Sequence, residues 1–154
     1  MTSEIDIAVS FLRQGKIIAY PTEAMFGIGC DIMDEKALKK IIEIKKRPPE
    51  KGLIIVAAKW EQVKRLTQKM PESHYKKIFK SWPGHTTWLF PAAPQVPAII
   101  KGKYNTVAIR ISNNPTIKNI CDLYDKPIVS TSANIHNKAA ATNSDEVINT
   151  FGNS

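Results

Sequence analysis

Apolar residues at Ile5, Ala8, Phe11 and Leu12 recur at the spacing of one helix face, with Ser3 or Thr2 placed to cap it. Gly15 is expected to end that helix, and Lys16-Ile17-Ile18-Ala19-Tyr20 reads as a buried strand running into Pro21. Asp34 suits the N-cap of a second helix whose buried stripe is Leu38, Ile41 and Ile42. Pro48-Pro49 must stop it, because neither proline supplies a backbone amide. The run from Gly52 to Ala58 is a second, fully apolar strand. Helical stretches are predicted over about 59–70 and, after Pro71, over 72–80.

Further along, Thr87-Trp88-Leu89-Phe90 reads as a strand ended by the Pro91, Pro94, Pro97 segment, which must be loop or edge. Thr106 to Ile111 alternates as a strand, Pro115 opens a helix through Leu123, and Pro127-Ile128-Val129-Ser130 is a strand. Asp145 to Phe151 forms a last short helix. Helices alternating with all-apolar strands predict an α/β fold with a mixed, largely buried sheet. No repeat, linker or low-complexity tract divides the chain, so residues 1–154 read as one domain.

The 43% hydrophobic content is too high for a disordered chain, and the length is enough for a core without disulfide staples. No run approaches the ~18 apolar residues of a membrane span. Met1 to Gly15 carries acids where a signal peptide would be apolar, so a cytoplasmic chain is expected. The formal charge is +8 and unevenly placed. Residues 36–51 hold seven bases and two acids, and residues 59–80 hold the same numbers. Such a middle suits an anion-facing surface, or two amphipathic helices with lysines on their wet faces.

Cys30 and Cys121 show no CxxC spacing and read as reduced, buried thiols. His74, His85 and His136 show no paired spacing, which argues against a zinc site. A GxSxG elbow and a GxxxxGK[ST] loop are both missing, and Gly27-Ile28-Gly29 lacks the third glycine of a dinucleotide fingerprint. A serine hydrolase, a P-loop NTPase and a standard metalloenzyme are thereby disfavoured.

Lys45 occupies a slot on the Leu38 stripe where an apolar residue belongs, and Arg47 follows at the helix exit. The pair is either two cations favourably placed at a helix C-terminus or an anion site. A core-facing lysine is expected to need an anionic partner. Ser130-Thr131-Ser132-Ala133-Asn134 follows an apolar strand, where α/β sheets bind ligands, although such clusters also simply cap strands. Arg110 interrupts the strand Val107–Ile111, and an inward arginine there suits a forked grip on carboxylate or phosphate. Trp82-Pro83-Gly84-His85-Thr86-Thr87 reads as a tight turn feeding a strand, with Trp82 as core or lid.

In this order the segments resemble the YrdC-like family of threonylcarbamoyl-AMP synthases, most closely its short bacterial TsaC type. The resemblance rests on Tyr20-Pro21-Thr22-Glu23 with Gly27–Asp31, Lys45-Lys46-Arg47-Pro48, Trp82-Pro83-Gly84, Val107–Arg110 and Ser130–Asn134. It implies a single YrdC-like domain, a twisted mixed sheet flanked by helices. It also implies a nucleotidyltransferase that joins L-threonine, bicarbonate or CO2 and ATP into threonylcarbamoyl-adenylate and pyrophosphate, with Mg2+ accompanying the nucleotide. A partner transferase would then modify tRNA. By the same resemblance Lys45, Arg47, Ser132 and Asn134 surround the phosphates, with Ser130 beside them. Thr22, Thr87 and Arg110 line the threonine end.

Three departures from the family pattern stand out. His85 and Thr86 follow Trp82-Pro83-Gly84 where proline and an apolar residue are usual, a change read as tolerated within a turn. Ile135-His136-Asn137 replaces an apolar residue, Ser and Gly, and asparagine accepts a left-handed backbone nearly as glycine does. The sequence stops at Ser154, where the resemblance implies a further Gly-containing segment and strand. Two other readings compete: an RNA-binding protein of tRNA or ribosome maturation, touching tRNA or double-stranded RNA without catalysis, and an inactive scaffold that binds nucleotide and partner. Against the first, the chain lacks an RRM or KH signature, and its aromatic residues are not interleaved with the basic runs.

Overall fold

The computed structural model describes residues 3–22 and 25–152. Thr2, Glu23 of the Tyr20–Glu23 motif and Ser154 lie outside them. Ser3 caps α1 (Glu4–Arg13) through a reciprocal box with Asp6, and Gly15 turns the chain out at φ 74°. Strand β1 (Ile18–Pro21) pairs antiparallel with β2 (Phe26–Asp31), a strand the apolar pattern does not announce because two of its six residues are glycine. Asp34 caps α2 (Glu35–Lys45). This helix stops before the prolines, at Lys46 in the left-handed conformation with φ 52°.

After β3 (Ile54–Ala57) the predicted helix over 59–70 is replaced by two 3-10 turns, Trp60–Gln62 and Lys64–Leu66. The side chains explain the change. Val63 and Leu66 are buried and Trp60 packs on the core, so the apolar period is three rather than 3.6. Gln62 also bridges the Ala58 amide and the Cys121 carbonyl, which fixes the turn against the helix that carries Cys121. Then follow α3 (Glu72–Ser81), β4 (Trp88–Pro91), a short α4 (Ala98–Lys101) absent from the sequence reading, β5 (Thr106–Ile111), α5 (Pro115–Tyr124), β6 (Ile128–Ser132) and α6 (Ser144–Phe151). Among the described residues no helix is long and apolar enough to cross a membrane.

The strands form one mixed sheet in the order β1-β2-β6-β3-β5-β4, with β3 and β5 its parallel pair. Alternation divides the side chains between two faces. Ile55, Ile109 and Val129 point into a core closed by Leu38 and Ile41 of α2, Ile78 of α3 and Ile100 of α4. Val56, Ile128, Ile18 and Tyr20 point the other way, under Val9 and Leu12 of α1 and Ile117 and Ile120 of α5. Those two helices cover only part of the second face. On it Ile54, Ala108, Arg110, Ser130 and Ser132 stay half-buried and Leu89 is exposed. Both cysteines are free and buried, and burial pushes each thiol up to about 12, which makes them packing residues.

Glycine decides how the open part is built. Tyr20 stands opposite Gly27, and Gly29 stands opposite Ser130. With no side chains on β2 at these places, the Tyr20 ring lies across it and its hydroxyl hydrogen-bonds Ser130 Oγ. A Cβ at Gly27 would come within 2.8 Å of that ring, and one at Gly29 within 2.2 Å of the Val129 carbonyl oxygen. Gly29→Ala is therefore expected to cost about 1–3 kcal/mol through overpacking against backbone. Urea unfolding should show a lower midpoint at unchanged slope; a wild-type midpoint would mean that β2 and β6 separate freely.

Candidate active site

A cleft of about 370 Å3 opens on the exposed half of the second face, where β2, β6, β3 and β5 lie side by side. Five of the eight residues nominated from the sequence line it: Thr22, Arg47, Arg110, Ser130 and Ser132. The other three stand one hydrogen bond behind the wall. Thr87 Oγ1 accepts from Arg110 Nε at 3.0 Å, while Lys45 and Asn134 hold Ser132 from beneath. Thr22 is anchored by its own hydroxyl, which donates to the Met25 carbonyl at 2.5 Å.

Two guanidinium groups set the electrostatics. The left-handed turn at Lys46 swings Arg47 off the buried stripe of α2, and its Nε donates to the Gly52 carbonyl at 3.0 Å. Burial lowers the pKa of Arg47, though a guanidinium stays charged at any physiological pH. Arg47 and Arg110 each use Nε on the protein, and among the described residues their Nη groups have no protein acceptor. No carboxylate stands among the described residues of the wall. Two forked cations, five hydroxyl side chains and no acid among the described lining residues suit the cleft to an anion.

Lys45 departs from the sequence expectation. It is 2% exposed, yet its partner is not an anion. Its Nζ donates to the Ser132 carbonyl at 2.5 Å, the Asn134 carbonyl at 3.0 Å and Asn134 Oδ1 at 2.7 Å. Three neutral oxygens occupy the three protons of an ammonium. Ser132 Oγ donates to the same Oδ1 at 2.7 Å, and Asn134 Nδ2 donates to the Lys138 carbonyl at 2.7 Å. The His136 amide closes the loop onto the Lys45 carbonyl. Burial, with the neighbouring Arg47 charge, lowers the Lys45 pKa to about 8.

A profile of the Sua5/YciO/YrdC family, described as telomere recombination, matches residues 10–154. The chain belongs to the Sua5/YciO/YrdC family. A threonylcarbamoyl-AMP synthase of Klebsiella pneumoniae is 42% identical over 149 residues, 96% of this chain and 78% of that relative. A P. abyssi Sua5 complexed with L-threonine superposes with a TM-score of 0.86 at 37% identity, over 94% of this chain but 43% of that one. E. coli YciO shares the fold, with a TM-score of 0.84 at 21% identity over 97% of this chain and 73% of that one.

Two departures from the family pattern are now placed. Asn137 has φ 65°, so asparagine takes the left-handed turn where the pattern carries glycine. His85 belongs to the cleft wall, where the sequence reading treats it as a tolerated turn change. Ser112 and Asn114 line the cleft as well and were not nominated. Ser112 Oγ accepts the Asn114 amide, and Asn114 Oδ1 caps α5. The only sequence signal for Asn114 is its place before Pro115, an N-cap followed by proline.

Lys45→Met keeps the length of the side chain but removes the donor to the Ser132 and Asn134 oxygens. Losing it leaves groups worth about 1–3 kcal/mol unsatisfied. Amide exchange over residues 133–138 should therefore quicken by about tenfold or more, while β3 and β5 keep wild-type protection. Unchanged exchange in the loop would show that it holds itself.

Proposed function

We propose that this chain makes threonylcarbamoyl-adenylate and pyrophosphate from L-threonine, bicarbonate or CO2, and ATP. The observation that carries the reading is a cleft lined by Arg47, Arg110 and the Ser130–Ser132 hydroxyls, with no carboxylate among its described residues, within a chain 42% identical to a named threonylcarbamoyl-AMP synthase. The P. abyssi Sua5 complexed with L-threonine supports a threonine subsite on this fold.

The chemistry asks for charge and position rather than a nucleophilic side chain. The threonine amine attacks CO2 and loses a proton to give a carbamate. A carbamate oxygen then attacks the α-phosphorus of ATP, and pyrophosphate leaves. Both partners are anions, so fixed cations must screen their approach. In this assignment Arg110, held by Thr87, takes the threonine carboxylate, with Thr22 beside it. Arg47 and the Ser132 hydroxyl meet the phosphates, with Ser130 adjacent. Lys45 and Asn134 hold the Ser132 loop in register and add a positive charge beneath it. The wall presents hydroxyl and amide oxygens, which fits Mg2+ arriving on the triphosphate as part of the substrate. The adenylate would pass to a separate transferase acting on tRNA.

The non-catalytic RNA-binding reading has less support at this site, because the two guanidiniums sit in a cleft of small-molecule size rather than along a strip. Purified protein with all three substrates is expected to release pyrophosphate in a threonine- and bicarbonate-dependent manner, with the adenylate visible by mass spectrometry. ATP binding without turnover would instead identify an inactive scaffold. Arg47→Ala should lose most turnover, and Arg110→Ala should raise the KM for threonine about tenfold or more, as loss of a charge-assisted pair does. Equal losses toward threonine and ATP in both variants would overturn the division of roles.

The Lys45 ammonium adds a pH dependence. Its charge is present below about 8 and is lost above it, well before an ordinary lysine would lose its own. The kcat/KM for ATP should fall as pH rises through about 8. A profile flat to pH 9.5 would separate the Lys45 charge from catalysis.

A further inference from the structure

The reaction assigned to the cleft sets a proton free, and most of the wall has no means of taking it. When the threonine amine becomes a carbamate, its nitrogen gives up one hydrogen. The described polar lining consists of two guanidiniums, five hydroxyls, the Asn114 amide and His85. A guanidinium stays charged, and hydroxyls and amides take up no proton at neutral pH. Lys45 stands behind Ser132 with its ammonium donating to three oxygens. Imidazole is the one group of the described wall that takes up and releases a proton near neutrality.

His85 also stands at the end of the cleft where that proton is released. The turn that carries it runs from α3 to β4 and is tied down on both sides of it. The Gly84 amide donates to the Ile111 carbonyl at 2.9 Å, at the end of β5. Trp82 Nε1 donates to the Thr86 carbonyl at 2.8 Å, and Thr87 Oγ1 accepts from Arg110 Nε at 3.0 Å. These bonds run through the neighbours of His85, and among the described residues none engages its ring. The side chain is exposed, so it meets water at the cleft mouth. The amine and the carboxylate of threonine share one carbon atom. A threonine gripped by Arg110 therefore presents its amine at this end. The family pattern carries proline in this place, and proline exchanges no proton.

We infer that His85 is the general base of carbamate formation, a role that rests on the synthase reading above. Threonine reacts as the free amine. Its nitrogen lone pair forms the N–C bond to CO2, one C=O pair moves onto an oxygen as its negative charge, and the nitrogen's proton passes to the neutral imidazole. The imidazolium then yields that proton to water at the mouth. The other charged groups of the described wall are the cations Arg47 and Arg110, with Lys45 behind it. They stabilise the new carbamate anion and offer no competing site for the proton. Attack of the carbamate on the α-phosphorus moves no proton, so His85 serves only the first half of the reaction.

Two rates measured on the same protein test the role. One is pyrophosphate release from threonine, ATP and limiting bicarbonate; the other is ATP formation from threonylcarbamoyl-adenylate and pyrophosphate. His85→Ala, and His85→Pro as a second variant that suits the turn, should slow the forward rate about tenfold to a hundredfold. That is at or below the foot of general-base catalysis, because water at the mouth takes over part of the role. The reverse rate should stay near that of the wild type. Added imidazole should restore the forward rate of His85→Ala with increasing concentration and leave its reverse rate alone. Wild-type forward rates in both variants would overturn the role. So would equal losses in the two directions, or a forward loss that imidazole does not repair, since either marks a residue that only shapes the turn. A wild-type protein inactive in both directions would overturn the synthase reading itself, and the role of His85 with it.

Discussion

The site depends on one buried ammonium group. Removing Lys45 from water costs several kcal/mol, and the three hydrogen bonds of its ammonium offset that cost. What the arrangement adds is position. The end of α2 is tied to the loop after β6, the Ser132 hydroxyl is aimed by a shared contact at Asn134 Oδ1, and Arg47 is delivered to the cleft two residues beyond. A methyl-rich side chain at 45 would fill the same core slot and leave that loop unaimed.

A second constraint works through absence of side chains. A sheet covered evenly on both faces would have no room for a ligand. Here Gly27 and Gly29 let the Tyr20 ring cross β2, so the wall of the cleft starts from a buried hydroxyl bonded to Ser130 rather than from aliphatic packing. Burial raises the Tyr20 hydroxyl well above its ordinary pKa, so it serves as a neutral hydrogen-bonding group. The half of the face beyond α1 and α5 then stays open, lined by the Ser130–Ser132 hydroxyls beside Ile54, Val56 and Ile117 and flanked by Arg47 and Arg110.

Two groups of cations lie on opposite sides of the sheet. Arg47 and Arg110, with Lys45 beneath, belong to a confined cleft suited to small anions. Lys64, Arg65, Lys69 and Lys76 belong to an open aromatic groove. The two basic runs are alike in composition, so composition could not have separated them. They differ in the geometry that surrounds each charge. An arginine anchored by Nε in a cleft presents a fork, and an exposed lysine above aromatic rings presents a mobile point charge.

Local chemistry was legible in the linear chain. The caps at Ser3 and Asp34, the alternation of β5, the apolar strands and the odd placement of Lys45 all follow from steric and hydrogen-bonding rules that act within a few residues. So did the tolerance of Asn137 for a left-handed turn. What the linear chain left undetermined depended on partners far away in sequence. The 3-10 turns at 60–66 arise because Gln62 reaches Cys121, and β2 is a strand because Tyr20 and Val129 flank its glycines. Lys45 needed no anion because residues 132 and 134 bring three oxygens to it across the fold. His85, Ser112 and Asn114 enter the cleft for the same reason. Propensity and periodicity reach about one turn of helix or one strand; the identity of the group that satisfies a buried charge is a property of the packed chain.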